Sequence, residues 1–92
     1  MTTNEKTGVA LPDDLSELHL STLAYAVRAD WLNPYFGAVP YIDAMGCLAS
    51  VNDDYGCDRG DSIVMYFLSN AGSWRGPIAR VVKAELRKRV GL

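Results

Sequence analysis

Proline and glycine divide this chain into four segments, each with room for one short helix. Pro12 precedes the first and Asn33-Pro34 ends it. Pro40 opens the second, which a loop rich in aspartate and glycine, Asn52 to Asp61, separates from the third. Asn70-Ala71-Gly72 closes the third, and Gly76-Pro77 and Gly91 bracket the fourth. The residue before a proline is pushed away from helical geometry. A proline in the first turn is tolerated, because its missing N–H would have no intrahelical partner there.

Inside the segments the apolar spacing selects helix. Leu20, Leu23, Ala24, Val27 and Trp31 recur at i, i+3, i+4, i+7 and i+11, one face of an amphipathic helix. Pro12-Asp13-Asp14 reads as its start, since carboxylates favour the positive end of the helix dipole. Leu15, Leu18, Thr22 and Tyr25 lie beside that face, so burial on more than one side is expected. The second segment, about Pro40 to Val51, has the stripe Tyr41, Ala44, Met45 and Leu48. Gly46 within it costs about 1 kcal/mol against alanine, which a close approach by another helix would explain. The third, Ser62 to about Ala71, runs Ile63-Val64-Met65-Tyr66-Phe67-Leu68 without a break. Such a run also suits a buried strand. An aspartate cap at Asp58 or Asp61 and the Asn-Ala-Gly stop favour a helix, placed centrally because it is the most apolar. In the fourth, Ile78, Val82 and Leu86 recur at i+4 with Val81 alongside. The expectation is an all-α fold, a compact bundle of about four short helices. One domain covers residues 11–92, after a flexible N-terminal segment at 1–10.

Ninety-two residues make a single domain that buries roughly 60–65% of its unfolded surface, which leaves little room for a deep enclosed site. No apolar run approaches the roughly 20 residues needed to span a bilayer, and Met1 to Lys6 lacks a signal core. The expected location is the cytoplasm of a host cell, with no membrane partner. Cys47 and Cys57 are then expected as two reduced thiols, with one disulfide between them as the alternative in an oxidising compartment.

Recognisable site chemistry is sparse. The single histidine, His19, has no ligand or acid partner at a fitting spacing. The loop Asp53 to Asp61 fails the calcium pattern, which needs a glycine sixth and a glutamate twelfth. Counted from Asp54 those positions hold Arg59 and Met65, and counted from Asp53 the twelfth is Val64. Gly72-Ser73-Trp74-Arg75-Gly76 lacks the lysine of a phosphate loop, although a helix start beside Arg75 could meet an anion. Asp30, Asp43, His19 and Tyr41 are the candidate acid–base groups, with no spacing that predicts convergence. No catalytic residue, metal or cofactor is expected, and the protein is not read as an enzyme.

Charge and aromatics say more. Net charge is −2, but residues 1–74 hold ten acidic and three basic side chains, whereas residues 75–92 hold six basic and one acidic. Arg80, Lys83 and Arg87, at i, i+3 and i+7, share a helix face where like charges are mildly destabilising. Nearby, Glu85 can pair with Arg89 at i+4. The ridge calls for something acidic: the protein's own aspartate loop, nucleic acid, or a protein surface. Trp31, Tyr35, Phe36 and Tyr41 cluster around one interhelical segment, and Trp74 lies beside Arg75 in another. Tryptophan, tyrosine and arginine are enriched at binding hot spots. Aromatics also cap the open ends of small bundles.

Asn33-Pro-Tyr-Phe-Gly-Ala-Val-Pro-Tyr-Ile-Asp-Ala-Met45, Ser62-Ile-Val-Met-Tyr-Phe-Leu-Ser-Asn-Ala-Gly-Ser-Trp-Arg-Gly76 and the stretch Ala79 to Leu86 resemble small helical proteins carried by bacteriophages and plasmids. The resemblance covers about half the chain and brings no catalytic residue. It implies an accessory protein of the kind that occludes host machinery, as anti-CRISPR and anti-restriction proteins do. The leading expectation is a non-enzymatic protein that binds a host protein or complex and blocks it. Trp31, Tyr35 and Phe36 are the aromatic anchors, with Trp74, Arg75, Arg80, Lys83 and Arg87 as a second surface. The alternatives are a nucleic-acid-binding module using the basic C-terminal helix, which the net acidic charge opposes, and a self-assembling structural protein or homodimer.

Overall fold

The computed structural model describes residues 1–92. In chain order it contains β1 (Thr2–Asn4), β2 (Val9–Leu11), α1 (Leu20–Asp30), a 3₁₀ turn (Phe36–Ala38) running into α2 (Val39–Met45), β3 (Asp54–Tyr55), β4 (Asp58–Arg59), α3 (Gly60–Ser69) and α4 (Pro77–Arg89). The all-α expectation is corrected by this order. Four helices are present, but so are two antiparallel two-stranded sheets, β1–β2 and β3–β4, and the fold is mixed α/β. The third segment is a helix, as expected, and not a buried strand.

Residues expected to be loose at the N-terminus form the first hairpin. Thr2 pairs with Leu11, Thr3 with Ala10 and Asn4 with Val9. The Asn4 carbonyl accepts the N–H groups of Thr7 and Gly8, and Gly8 closes the turn at φ +77°, a region that favours glycine. Two isolated strands are marginal in water. This pair is held by its packing on α1 and α4 and by Asn4 and Thr7, whose side chains donate to Asp30 at 2.8 and 2.7 Å. The second hairpin turns at Gly56, φ +63°, within the loop tested for calcium. There Asp53 Oδ2 accepts the N–H groups of Ala49 and Ser50, both at 3.0 Å.

Helix α1 begins at Leu20, well after Pro12-Asp13-Asp14. Its first free N–H groups find acceptors elsewhere in the chain: Leu20 donates to the Ala49 carbonyl at 2.9 Å and Ser21 to that of Leu48 at 2.8 Å. Those bonds satisfy the donors that an N-terminal cap would otherwise serve, and they pin α1 to the segment after α2. Gly46 lies just past α2. An added Cβ there would meet only carbonyls of its own turn, Asp43 O at 3.3 Å and Ile42 O at 3.6 Å, so no helix approaches it. The close approach is at Gly60 instead, where a Cβ would stand 2.9 Å from the carbonyl oxygens of both Ser50 and Val51. Arg59 occupies the N-cap position of α3, in place of the expected Asp58 or Asp61.

The helices close a ring, with α1 packed on α2 and α4, and α3 packed on the same two. No helix is central. Leu20, Leu23, Ala24, Val27 and Trp31 all face the shared core, as do Ile78, Val82 and Leu86. Tyr25 is 75% exposed, which corrects the expected second buried side of α1. No helix is long and apolar enough to cross a membrane.

Candidate functional site: a cationic face on α4

Burial of Ile78, Val82 and Leu86 fixes the rotation of α4. Arg80 and Arg87 are thereby turned to solvent and Lys83 to a half-buried position. Arg75, in the turn before Pro77, lines the same depression as Arg80 and Lys83, so it joins the ridge. The four ion pairs of the protein are the N-terminal ammonium with Asp13, Arg28 with Asp43, Arg59 with Asp61, and Glu85 with Arg89. None involves Arg75, Arg80, Lys83 or Arg87. The aspartate loop therefore does not neutralise the ridge. Arg89 belongs to the fold, with Nε on Glu85 at 2.7 Å and a second nitrogen on the Leu15 carbonyl at 2.7 Å.

Lys83 Nζ donates to the Trp74 carbonyl at 2.6 Å and sits 5.8 Å from the centre of the Trp74 ring. Desolvation by burial holds its pKa below the usual lysine value, and the charges of Arg87 and Arg75 push in the same direction. Trp74, Arg75, Gly76, Ala79, Arg80 and Lys83 line a shallow depression of about 300 Å³. Three of those six residues are cations and none is an acid.

The tryptophans are placed otherwise than a binding surface needs. Trp31 and Trp74 are buried and stack on each other, centroids 5.9 Å apart and planes 13° apart. Phe67 meets both edge-on, at 6.5 and 6.3 Å. The one polar atom of Trp74, Nε1, donates to Asp30 Oδ2 at 2.8 Å. A large apolar body with its N–H satisfied is core material, and both residues leave the set of candidate anchors. Tyr35 and Phe36 stay in it, 47% and 79% exposed with rings 4.8 Å apart. Sequence reading missed the aromatic outer side of α3. Tyr66 is 53% exposed and packs on Tyr41 at 5.5 Å, and Met65 beside it is also exposed. An all-round apolar helix with only two main neighbours has to leave one side open, and the unbroken run from Ile63 to Leu68 was that signal.

The candidate acid–base groups are scattered. Asp30 is buried under three donors, and Asp43 pairs with Arg28. Tyr41 packs on Tyr66 with the rings tilted 34°. His19, exposed at the start of α1, lines a separate shallow depression that also holds Glu85 and Arg89. None of the four hydrogen-bonds to another. No three His, Cys, Asp or Glu side chains come together where they could hold a metal ion. Cys47 and Cys57 are free and exposed.

No protein-family model matches the chain, no curated protein matches its sequence and no solved structure matches its fold. The comparisons lend no support to the expected likeness with phage and plasmid proteins.

Proposed function

We propose that this is a non-enzymatic binding protein whose cationic α4 face docks on an acidic surface of a partner protein. The observation that carries the reading is the row Arg75, Arg80, Lys83 and Arg87, which has no carboxylate partner within the protein. Unpaired like charges on one face cost the isolated fold a few tenths of a kcal/mol per pair, and an acidic partner turns that cost into attraction and faster encounter. Tyr35 and Phe36 supply exposed aromatic area of the kind that anchors interfaces. The resemblance to phage and plasmid proteins extends the proposal: the partner is a host protein or complex, met in the host cytoplasm, and binding blocks it as anti-CRISPR or anti-restriction proteins block theirs.

The test is capture of partners from a bacterial lysate by the tagged protein, with and without nuclease, compared with Arg80→Glu plus Arg87→Glu. Both arginines are exposed, so the variant should melt within about 0.5 kcal/mol of the wild type. One dominant protein complex that survives nuclease and is lost with the variant supports the reading. Partners that vanish with nuclease would replace it with nucleic-acid binding, and recovery of the chain alone would replace it with self-assembly.

A further inference from the structure

The cation ridge is not uniform, because its charges converge at one end. Arg75, Arg80 and Lys83 all line the depression beside Trp74, with the Lys83 ammonium held on the Trp74 carbonyl. No acidic side chain lines this depression, and no ion pair reaches into it. We propose that this depression is a binding site for a phosphate group, gripped by the Arg75 and Arg80 guanidinium groups with Lys83 as the fixed point charge. The inference rests on the proposed docking face and names the chemistry at its head.

The choice of anion follows from the donors. A guanidinium presents a planar fork that matches two oxygens of a phosphate, whereas an ammonium acts as a compact point charge. Two forks and one point charge suit a tetrahedral, multiply charged group better than a single carboxylate. Lys83 is anchored in advance by its bond to the Trp74 carbonyl and its place over the ring, so little further ordering is needed when the anion arrives. Burial is the main cause of the lowered Lys83 pKa, and the charges of Arg87 and Arg75 add to it; a bound anion would relieve that added repulsion. Arg59, Arg28 and Arg89 cannot compete for the same anion at comparable strength, since each is paired with a carboxylate. The depression is open, so the anion exchanges freely with solvent.

Inorganic phosphate is the probe. It is titrated at constant ionic strength against sodium chloride, and the Trp74 indole N–H and the backbone amides of Arg75, Gly76 and Ile78 to Arg80 are followed by ¹H–¹⁵N NMR. Saturable shifts confined to this region are expected with phosphate and not with chloride. Arg75→Gln plus Arg80→Gln should weaken the apparent affinity at least tenfold. Both side chains are exposed, and the melting temperature of the variant without phosphate verifies its fold. Equal responses to phosphate and chloride, or equal affinity in the folded double variant, overturn the proposal. Should the variant not fold, the phosphate-against-chloride comparison on the wild-type chain decides alone. A phosphoserine peptide and its unphosphorylated twin then identify the source. Tighter binding of the phosphopeptide than of inorganic phosphate assigns the site to a modified partner segment, and equal binding assigns it to the free ion; either supports the site. A partner captured through Arg80 and Arg87 with no phosphate response would leave the docking face standing and remove only the phosphate site.

Discussion

Asp30 shows how much one side chain can organise in a domain this small. Its buried carboxylate accepts from Asn4, Thr7 and Trp74, joining the N-terminal hairpin, the end of α1 and the turn before α4. Removing it strands the buried Trp74 N–H, at about 1–3 kcal/mol for an unsatisfied buried donor, and loosens the part-buried bonds from Asn4 and Thr7. Asp30→Ala should therefore lose about 3 kcal/mol or more in urea unfolding, and Asp30→Asn, which keeps one acceptor oxygen, roughly half of that. A loss below about 0.5 kcal/mol in the alanine variant, the range of an ordinary surface substitution, would show that the hairpin is fastened by other contacts. Lys83 makes a second prediction with a definite sign. Its folded-state pKa lies below that of the unfolded chain, so the unfolded chain binds more protons in the window between the two values. Stability then rises as pH climbs through that window, just below the ordinary lysine value. Lys83→Met should lack this rise, and Arg87→Gln should shrink it, both read as unfolding free energy against pH. Neither residue's environment could be read from the sequence. The Asp30 donors lie 26, 23 and 44 residues away in the chain, beyond the reach of any spacing rule.

At the scale of elements, legibility followed locality. The stripes of α1 and α4 could be read because a 3.6-residue period is written into neighbouring residues, and each apolar position named on those stripes but Val81 is buried. The start of α1 could not be read in the same way. Pro12-Asp13-Asp14 has the chemistry of a helix start, but the donors of the first turn are met by the Leu48 and Ala49 carbonyls from another part of the chain. The hairpins escaped because strands of two or three residues are too short to show alternation. Gly60 offers the sharpest test at this scale. Its Cα faces the Ser50 and Val51 carbonyls so closely that a methyl group would meet both at 2.9 Å. Those atoms are backbone, and Val51 O also accepts the Asp61 N–H at 2.9 Å, so they cannot swing aside. Gly60→Ala should cost about 1–3 kcal/mol as an overpacking change, despite the better helix propensity of alanine. Gly72→Ala, with open space around its Cα, is the matched control and should stay within about 0.5 kcal/mol of the wild type.

Over the whole molecule, the charges separate along the sequence and much of that separation survives folding. The chain is net acidic, at −2, yet one face of its last helix carries cations without internal counterions. The asymmetry was visible in the sequence, while the choice between internal pairing and an open ridge needed the three-dimensional arrangement. An open ridge has a consequence that internal pairing would not. Repulsion among exposed charges is screened once their separation exceeds the Debye length, which shortens from about 30 Å at 0.01 M salt to about 8 Å at 0.15 M. If Arg75, Arg80, Lys83 and Arg87 repel one another in the folded state, sodium chloride added over that range should raise the melting temperature. A gain of about 0.5 kcal/mol, the scale of like-charge pairs on a helix, corresponds to roughly 2–4 °C for a domain of this size. Arg80→Gln plus Arg87→Gln should start from a higher melting temperature at low salt and respond less steeply. A melting temperature that falls with salt in the wild-type protein would mean that attractive pairs dominate its electrostatics. If the double variant then responds to salt just as the wild type does, the ridge is neutralised within the fold, and the case for an acidic partner loses its basis.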